Sequence, residues 1–124
     1  MITLFGIPHC DSVKKARQWL SDNDIPYAFH DFKKLGLNPE MLRTWCERVG
    51  WEPLVNRKGT TWRKLDTGTQ SSVRDSTSAI SVMIANPSVI KRPVVQWGDA
   101  SISVGFSPEI FTSQWEILRK TGAL

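Results

Sequence analysis

Ile2-Thr3-Leu4-Phe5-Gly6-Ile7-Pro8-His9-Cys10-Asp11-Ser12-Val13-Lys14-Lys15 is the stretch on which the fold turns. Ile2, Leu4 and Phe5 make a short, uncharged, β-prone run, as a strand buried in a sheet requires. Gly6 and Pro8 punctuate it, and His9 and Cys10 follow. From Asp11 the period changes: Val13, Ala16, Trp19 and Leu20 recur at helical spacing, with Lys14, Lys15, Arg17 and Gln18 between them. The pattern predicts a strand, a turn and a helix, with Cys10 near the helix N-terminus. Exposed N–H groups and the positive end of the helix dipole favour an anion there, and the reactive form of cysteine is the thiolate. Lys14, one turn on, adds positive charge near the sulfur, whereas Asp11 disfavours a second negative charge beside it. These local features fit a reactive thiol. They fit equally a small buried hydrophobe, the usual state of a free cysteine.

The chain has 124 residues, enough for one domain with its own core and too few for two. Hydrophobic residues at 40% and charged residues at 23% are ordinary for a soluble globular protein. No uncharged stretch approaches the ~20 residues that cross a bilayer, and no basic region followed by an apolar run opens the chain. A cytoplasmic location is therefore expected, where thiols stay reduced and two cysteines suggest chemistry more than a staple. The formal charge of +4 is mild. It is scattered over Lys33-Lys34, Arg57-Lys58, Arg63-Lys64 and Lys91-Arg92, which argues against a nucleic-acid surface. The six tryptophans mostly stand beside apolar neighbours, as core residues do.

Asp22-Asn23-Asp24 and Pro26 break the first helix. Tyr27, Phe29 and Phe32 suggest a second strand, so the opening reads as a parallel βαβ unit. His30 belongs to this strand and takes no assigned role. Asn38-Pro39-Glu40 starts a helix, with Asn38 as cap. Met41, Leu42, Trp45, Cys46 and Val49 form its apolar face, and Gly50 ends it. Cys46 thus reads as a core thiol. Asn56 to Thr61 is a polar loop, Asp66 to Thr77 is loop or short helix ends, and Ser76 or Thr77 caps a helix running to Asn86-Pro87. Val94-Val95-Gln96-Trp97 and Ile102-Ser103-Val104 flank a Gly98-Asp99 turn as an antiparallel hairpin. Ser107-Pro108-Glu109 starts a final helix with Ile110, Phe111, Gln114, Trp115 and Leu118 on one face.

The order is β-α-β, a helical insertion over about 36–86, then a β-hairpin and a closing helix. This is an α/β, thioredoxin-like mixed sheet in one domain, 1–124, with the active cysteine where the first strand meets the first helix. A proline before such a hairpin often takes the rare cis form; Pro93 stands there, and the sequence is compatible with either isomer.

Three separated segments make the reading specific: Gly6 to Ala16, Asn56 to Arg63, and Asn86 to Pro93. Together they resemble the arsenate reductase family, most closely its YffB-like subgroup, which neighbours the Spx-type regulators. The resemblance covers essentially the whole chain. It implies that Cys10 is a nucleophile and that Arg57 and Arg92 match two oxyanion-binding arginines; Lys14, one turn from the sulfur, is expected to bind an anionic group with them. Pro8 and Pro93 define the fold beside the site. It further implies glutathione as co-substrate, glutaredoxin as partner, a small anionic or disulfide substrate, a monomer, and no metal; His9, Cys10, His30 and Cys46 show no zinc-ligand spacing.

Two departures count against arsenate itself. The family's Gly-Thr-Ser-Arg after the cysteine is replaced by Asp11-Ser12-Val13-Lys14, and its third arginine falls where this chain has Val104-Gly105-Phe106. Spx-type regulators carry a Cys-x-x-Cys switch; Val13 takes the second cysteine's place and excludes a local disulfide. The expectation is a glutathione-dependent thiol reductase with a single redox-active cysteine. The alternatives are an Spx-like regulator that binds RNA polymerase or another protein without catalysis, and a thioredoxin-like domain with an inert cysteine.

Overall fold

Leu4 and Phe5 are buried in β1 (Thr3–Gly6), the first strand of a sheet in a computed structural model that describes residues 1–99 and 101–121. β2 (Ala28–Asp31) lies parallel to it, Thr3 opposite Ala28 and Gly6 opposite Asp31. A parallel pair needs a crossover, and α1 (Asp11–Asp22) supplies it, burying Val13, Ala16 and Leu20. β3 (Val94–Trp97) pairs antiparallel with the other side of β1, Val95 opposite Leu4. β4 (Ser101–Val104) pairs antiparallel with β3. The order β2-β1-β3-β4 is the mixed, thioredoxin-like sheet that the sequence implies.

The strands adjoin one hydrophobic core in which Phe111 is central. It is contributed by the closing helix, Pro108–Thr121. The rings of Trp19, Trp97 and Phe106 meet it edge-on, at centroid distances of 5.5, 5.0 and 4.8 Å. Edge-to-face pairs of this kind add attraction beyond area burial. Trp97 is fully buried, and its indole N–H donates to Ser103 Oγ at 2.8 Å, so the polar end of the ring is satisfied inside the core. Ile110, expected on the apolar face of the closing helix, is 43% exposed; Phe111 and Leu118 carry that face instead.

The sequence places Phe32 on the second strand, but the strand stops at Asp31. α2 (Phe32–Leu35) begins there because Asp31 Oδ1 accepts the N–H groups of Lys33 (3.0 Å) and Lys34 (3.3 Å), capping a helical turn. Phe32 remains buried, as its side chain requires.

Met1–Leu35 and the chain from Arg92 onward form one compact unit, and Gly36–Lys91 forms a second, a little longer than the insertion expected at about 36–86. Within the second, α3 (Pro39–Val49) is capped by Asn38, whose Oδ1 accepts from the Met41 N–H at 2.8 Å, and ends at Gly50 with φ +82°. α4 (Thr60–Lys64) begins inside the stretch read as a polar loop, and α5 (Thr67–Ser72) is a short helix within the stretch read as loop or short helix ends. α6 (Ser76–Ala85) is capped by Asp75, not by Ser76 or Thr77, in a reciprocal capping box with Ser78. α3 and α6 pack together, burying Leu42, Trp45 and Cys46 with Ala79, Val82 and Met83. The closing helix Pro108–Thr121 is α7.

Candidate active site

β1 stops at Gly6, and the chain turns through Pro8 and His9 before α1. The Cys10 N–H donates to Ile7 O at 3.3 Å, closing the turn, and Cys10 O accepts the first helical bond from the Lys14 N–H at 2.9 Å. Cys10 is therefore the N-cap of α1, with extended backbone at φ −87° and ψ 128°. An N-cap side chain faces the N–H groups two and three residues on, here those of Ser12 and Val13. No bond short enough to count as a cap closes on the sulfur, yet both amides lie where they stabilise charge on it.

Arg92 comes to the same place from the other end of this unit. It precedes Pro93 across a cis peptide bond at the start of β3, and its Nε is buried. Cys10 is half-buried. Burial acts to raise its pKa, but the Val13 N–H, the Arg92 guanidinium and the Ser12 N–H together outweigh burial and hold the thiol below the range of a free cysteine. A thiol lowered in this way meets one physical requirement of a reactive cysteine.

The remaining residues singled out in the sequence fall as follows. Pro8 is in the β1–α1 turn, and Pro93 O accepts from the Gly105 N–H at 2.8 Å. Lys14 and Asp11 are exposed on α1. Arg57 belongs to the Gly36–Lys91 unit, in the turn before α4, with its guanidinium 5.4 Å from the ring centre of Trp51 and 5.9 Å from that of Trp62. Cys46 is buried, and burial, aided by the neighbouring Glu47 charge, pushes its thiol up despite a bond from Ser76. His30 is half-buried on β2 with its ring 4.9 Å from that of Phe5. Phe106, where the family's third arginine is expected, is part of the aromatic core through Phe111.

Arg17 was not singled out in the sequence. Its Nε donates to the Tyr27 hydroxyl at 2.9 Å, and its guanidinium carbon lies 4.1 Å from the centre of the Phe29 ring. The signal available was its spacing, seven residues after Cys10, which is nearly two helical turns.

Among the described residues no cluster of three or more metal-ligating side chains occurs, and no helix is long and apolar enough to cross a membrane.

A profile of the ArsC family matches residues 5–113. Among solved structures, the chain is similar to the YFFB protein, with 44% identity, a TM-score of 0.87 and coverage of 92% of this chain and 98% of that one. It is also similar to an arsenate reductase (ArsC) related protein from Brucella melitensis, 47% identical with a TM-score of 0.72, over 90% of this chain and 92% of the other. The global transcriptional regulator Spx of Staphylococcus epidermidis is 28% identical over 111 residues, 88% of this chain and 82% of the regulator. Reductase-related proteins and regulators thus both stand among its relatives, and the chain belongs to the ArsC family.

Proposed function

We propose that the protein is a thiol-dependent reductase that acts through Cys10 alone, with glutathione as co-substrate and glutaredoxin as an accessory partner. The observation that carries this reading is the half-buried sulfur at the α1 N-cap, held below the free-thiol range by two backbone amides and Arg92. In a mixed disulfide between a substrate thiol and glutathione, the Cys10 thiolate attacks the glutathione sulfur. The Cys10–glutathione S–S bond forms as the substrate S–S bond breaks, and the substrate leaves as a thiolate with the bonding pair. A second glutathione thiolate then attacks the sulfur of the bound glutathione. Glutathione disulfide leaves, and the Cys10 thiolate is restored.

Arg92 stabilises the attacking thiolate and the leaving one, since a guanidinium is permanently charged. Arg57 and Lys14 are assigned to anionic groups of the substrate or of glutathione. Cys46, protonated and buried, takes no part. The chemistry needs a reduced glutathione pool, which places the protein in the cytoplasm, where a monomer suffices for a one-cysteine cycle.

Arsenate is a poor substrate in this reading. Capturing an oxyanion on a thiolate brings two negative centres together and needs convergent donors. Phe106 supplies none, and Asp11 adds repulsion. Loss of one such donor typically costs ~10²–10³ in rate. The likeness to Spx carries a second reading, a regulator that works by binding another protein. In that case Val13, in the second cysteine's place, leaves it without a local disulfide switch.

The test is a coupled assay with glutathione and glutaredoxin, run on arsenate and on a glutathione mixed disulfide. Turnover of the disulfide, lost in Cys10→Ser, with arsenate at least a hundredfold slower, is expected. Disulfide turnover that survives Cys10→Ser removes the reading. Absence of turnover on either substrate leaves the regulator.

A further inference from the structure

A stripe of side chains runs from Cys10 down one edge of α1. At 100° per residue, Cys10, Lys14, Arg17 and Ser21 fall within about 60° of one another around the axis. Beside the last three lies a groove of about 420 Å³ lined by Lys14, Arg17, Gln18, Ser21 and Tyr27. The groove begins one turn from the sulfur.

Its charge is uncompensated. Among the described residues neither Lys14 nor Arg17 pairs with a carboxylate. Asp11 stands three residues before Lys14 without forming an ion pair with it, and Asp22, five residues after Arg17, is occupied by the Gln18 amide at 2.7 Å. Arg17 is also fixed in advance. Its Nε is held by the Tyr27 hydroxyl at 2.9 Å, and its guanidinium lies over the Phe29 ring at 4.1 Å and 5.9 Å from the centre of Tyr27. Stacking and one hydrogen bond set the rotamer, while its other N–H donors have no acceptor among the described residues. An arginine immobilised before its ligand arrives loses little entropy on binding, and its fork matches a carboxylate.

We propose that this groove binds a carboxylate on the peptide chain of the substrate disulfide, with Arg17 as its principal donor, Lys14 as a second charge and Tyr27 positioning Arg17. The substrate class is then a cysteine-containing peptide segment with an acidic residue near the disulfide, and not a small free anion. The spacing follows from the helix: seven residues at 1.5 Å each put Arg17 about 10 Å along α1 from Cys10. An extended peptide covers that distance in about three residues. The inference rests on the reductase reading for its substrate, but the groove can be tested apart from it.

The probe is a fluorescent peptide with glutamate three residues from a cysteine held in mixed disulfide with glutathione, beside the same peptide with glutamine. Binding to Cys10→Ser is read by anisotropy, and turnover by the wild-type protein as kcat/KM with glutathione. The glutamate peptide is expected to bind about tenfold more tightly. That preference is expected to fall to about twofold in Arg17→Gln, to recover only partly in Arg17→Lys, and to shrink at high salt. Equal binding of the two peptides to Cys10→Ser overturns the proposal, and so does a preference that survives Arg17→Gln. If neither peptide is turned over but the preference in binding holds, the groove stands and the reductase reading fails. Turnover of both at equal kcat/KM with equal binding does the reverse.

Discussion

Gly6 and Val13 stand in contact that leaves no room for a side chain: a Cβ on Gly6 would lie 2.7 Å from Val13 Cγ2 and 3.3 Å from Cγ1. The end of β1 and the first turn of α1 approach this closely only because residue 6 is glycine. Val13 is fully buried, and its backbone N–H is one of the groups that lower the Cys10 thiol. The packing of Gly6 on Val13 therefore fixes the amide that faces the sulfur.

Gly6→Ala is expected to lower stability and raise the pKa of Cys10 together. Overpacking costs about 1–3 kcal/mol, more than the about 0.4–1 kcal/mol gained from a stiffer unfolded chain. Val13→Ala in the same chain makes room for the new methyl, so the double variant should recover part of the pKa shift. Chemical denaturation and thiolate absorbance, in a Cys46→Ala background, check both. Independent effects of the two substitutions would show that the contact does not position the amide.

Arg92→Ala should move the Cys10 pKa upward toward the ~8.5 of a free thiol and slow its alkylation at neutral pH. Arg92→Lys should restore part of the shift, because an ammonium gives charge without the planar fork. A thiol that titrates identically in all three proteins would mean that the backbone amides alone set its reactivity.

The two cysteines should pull the pH dependence of stability in opposite directions. Cys10 is depressed in the folded state, so its stabilisation is fully present above the unfolded value of ~8.5 and is lost as pH falls through its folded pKa. Cys46 is raised, so its contribution is complete below ~8.5 and is lost as pH rises through its folded pKa. Urea titrations between about pH 6 and 10 should therefore show stability rising less with pH in Cys10→Ser, and falling less at alkaline pH in Cys46→Ala.

Iodoacetamide should label Cys10 well before Cys46 in native protein, since Cys10 is the less buried thiol and its pKa is lowered, whereas Cys46 is buried and its pKa is raised. Mass mapping after limited reaction reads the order directly. Equal labelling would show that α3 and α6 open on the timescale of the reaction.

Asn38→Ala removes the acceptor for the Met41 N–H and should cost about 1 kcal/mol.

Much of this was legible in the sequence wherever a pattern and a local rule agreed. The alternation of Ile2 and Leu4, the helical period from Val13, the Asn38-Pro39 start and the Gly98 turn each pointed to the element that forms. The reading failed where a polar side chain overrode periodicity. Phe32 fits a strand by spacing, but Asp31 caps a helical turn in front of it. Asp75 displaced Ser76 and Thr77 as the α6 cap because its carboxylate reaches the Ser78 N–H at 2.9 Å. At the candidate site, Cys10 could be placed at a helix start from its neighbours alone. Arg92 is some eighty residues away and was reached only through family likeness; no local pattern couples it to the thiol. Arg17 looked like one more solvated charge among Lys14, Lys15 and Gln18. What sets it apart is a tertiary arrangement, the ring of Phe29 beneath it and the hydroxyl of Tyr27 beside it.

An amide N–H is carried by every residue except proline, so the donors at positions 12 and 13 outlast almost any side-chain replacement there. Heritable change can retune this thiol chiefly through Arg92, a single codon, while drift in the adjoining turn leaves the amides in place. The residue at 13 is constrained by shape against Gly6, and the residue at 12 hardly at all. A lineage can therefore vary position 12 freely, and position 13 only within the shape that Gly6 allows, without dismantling the support for the sulfur.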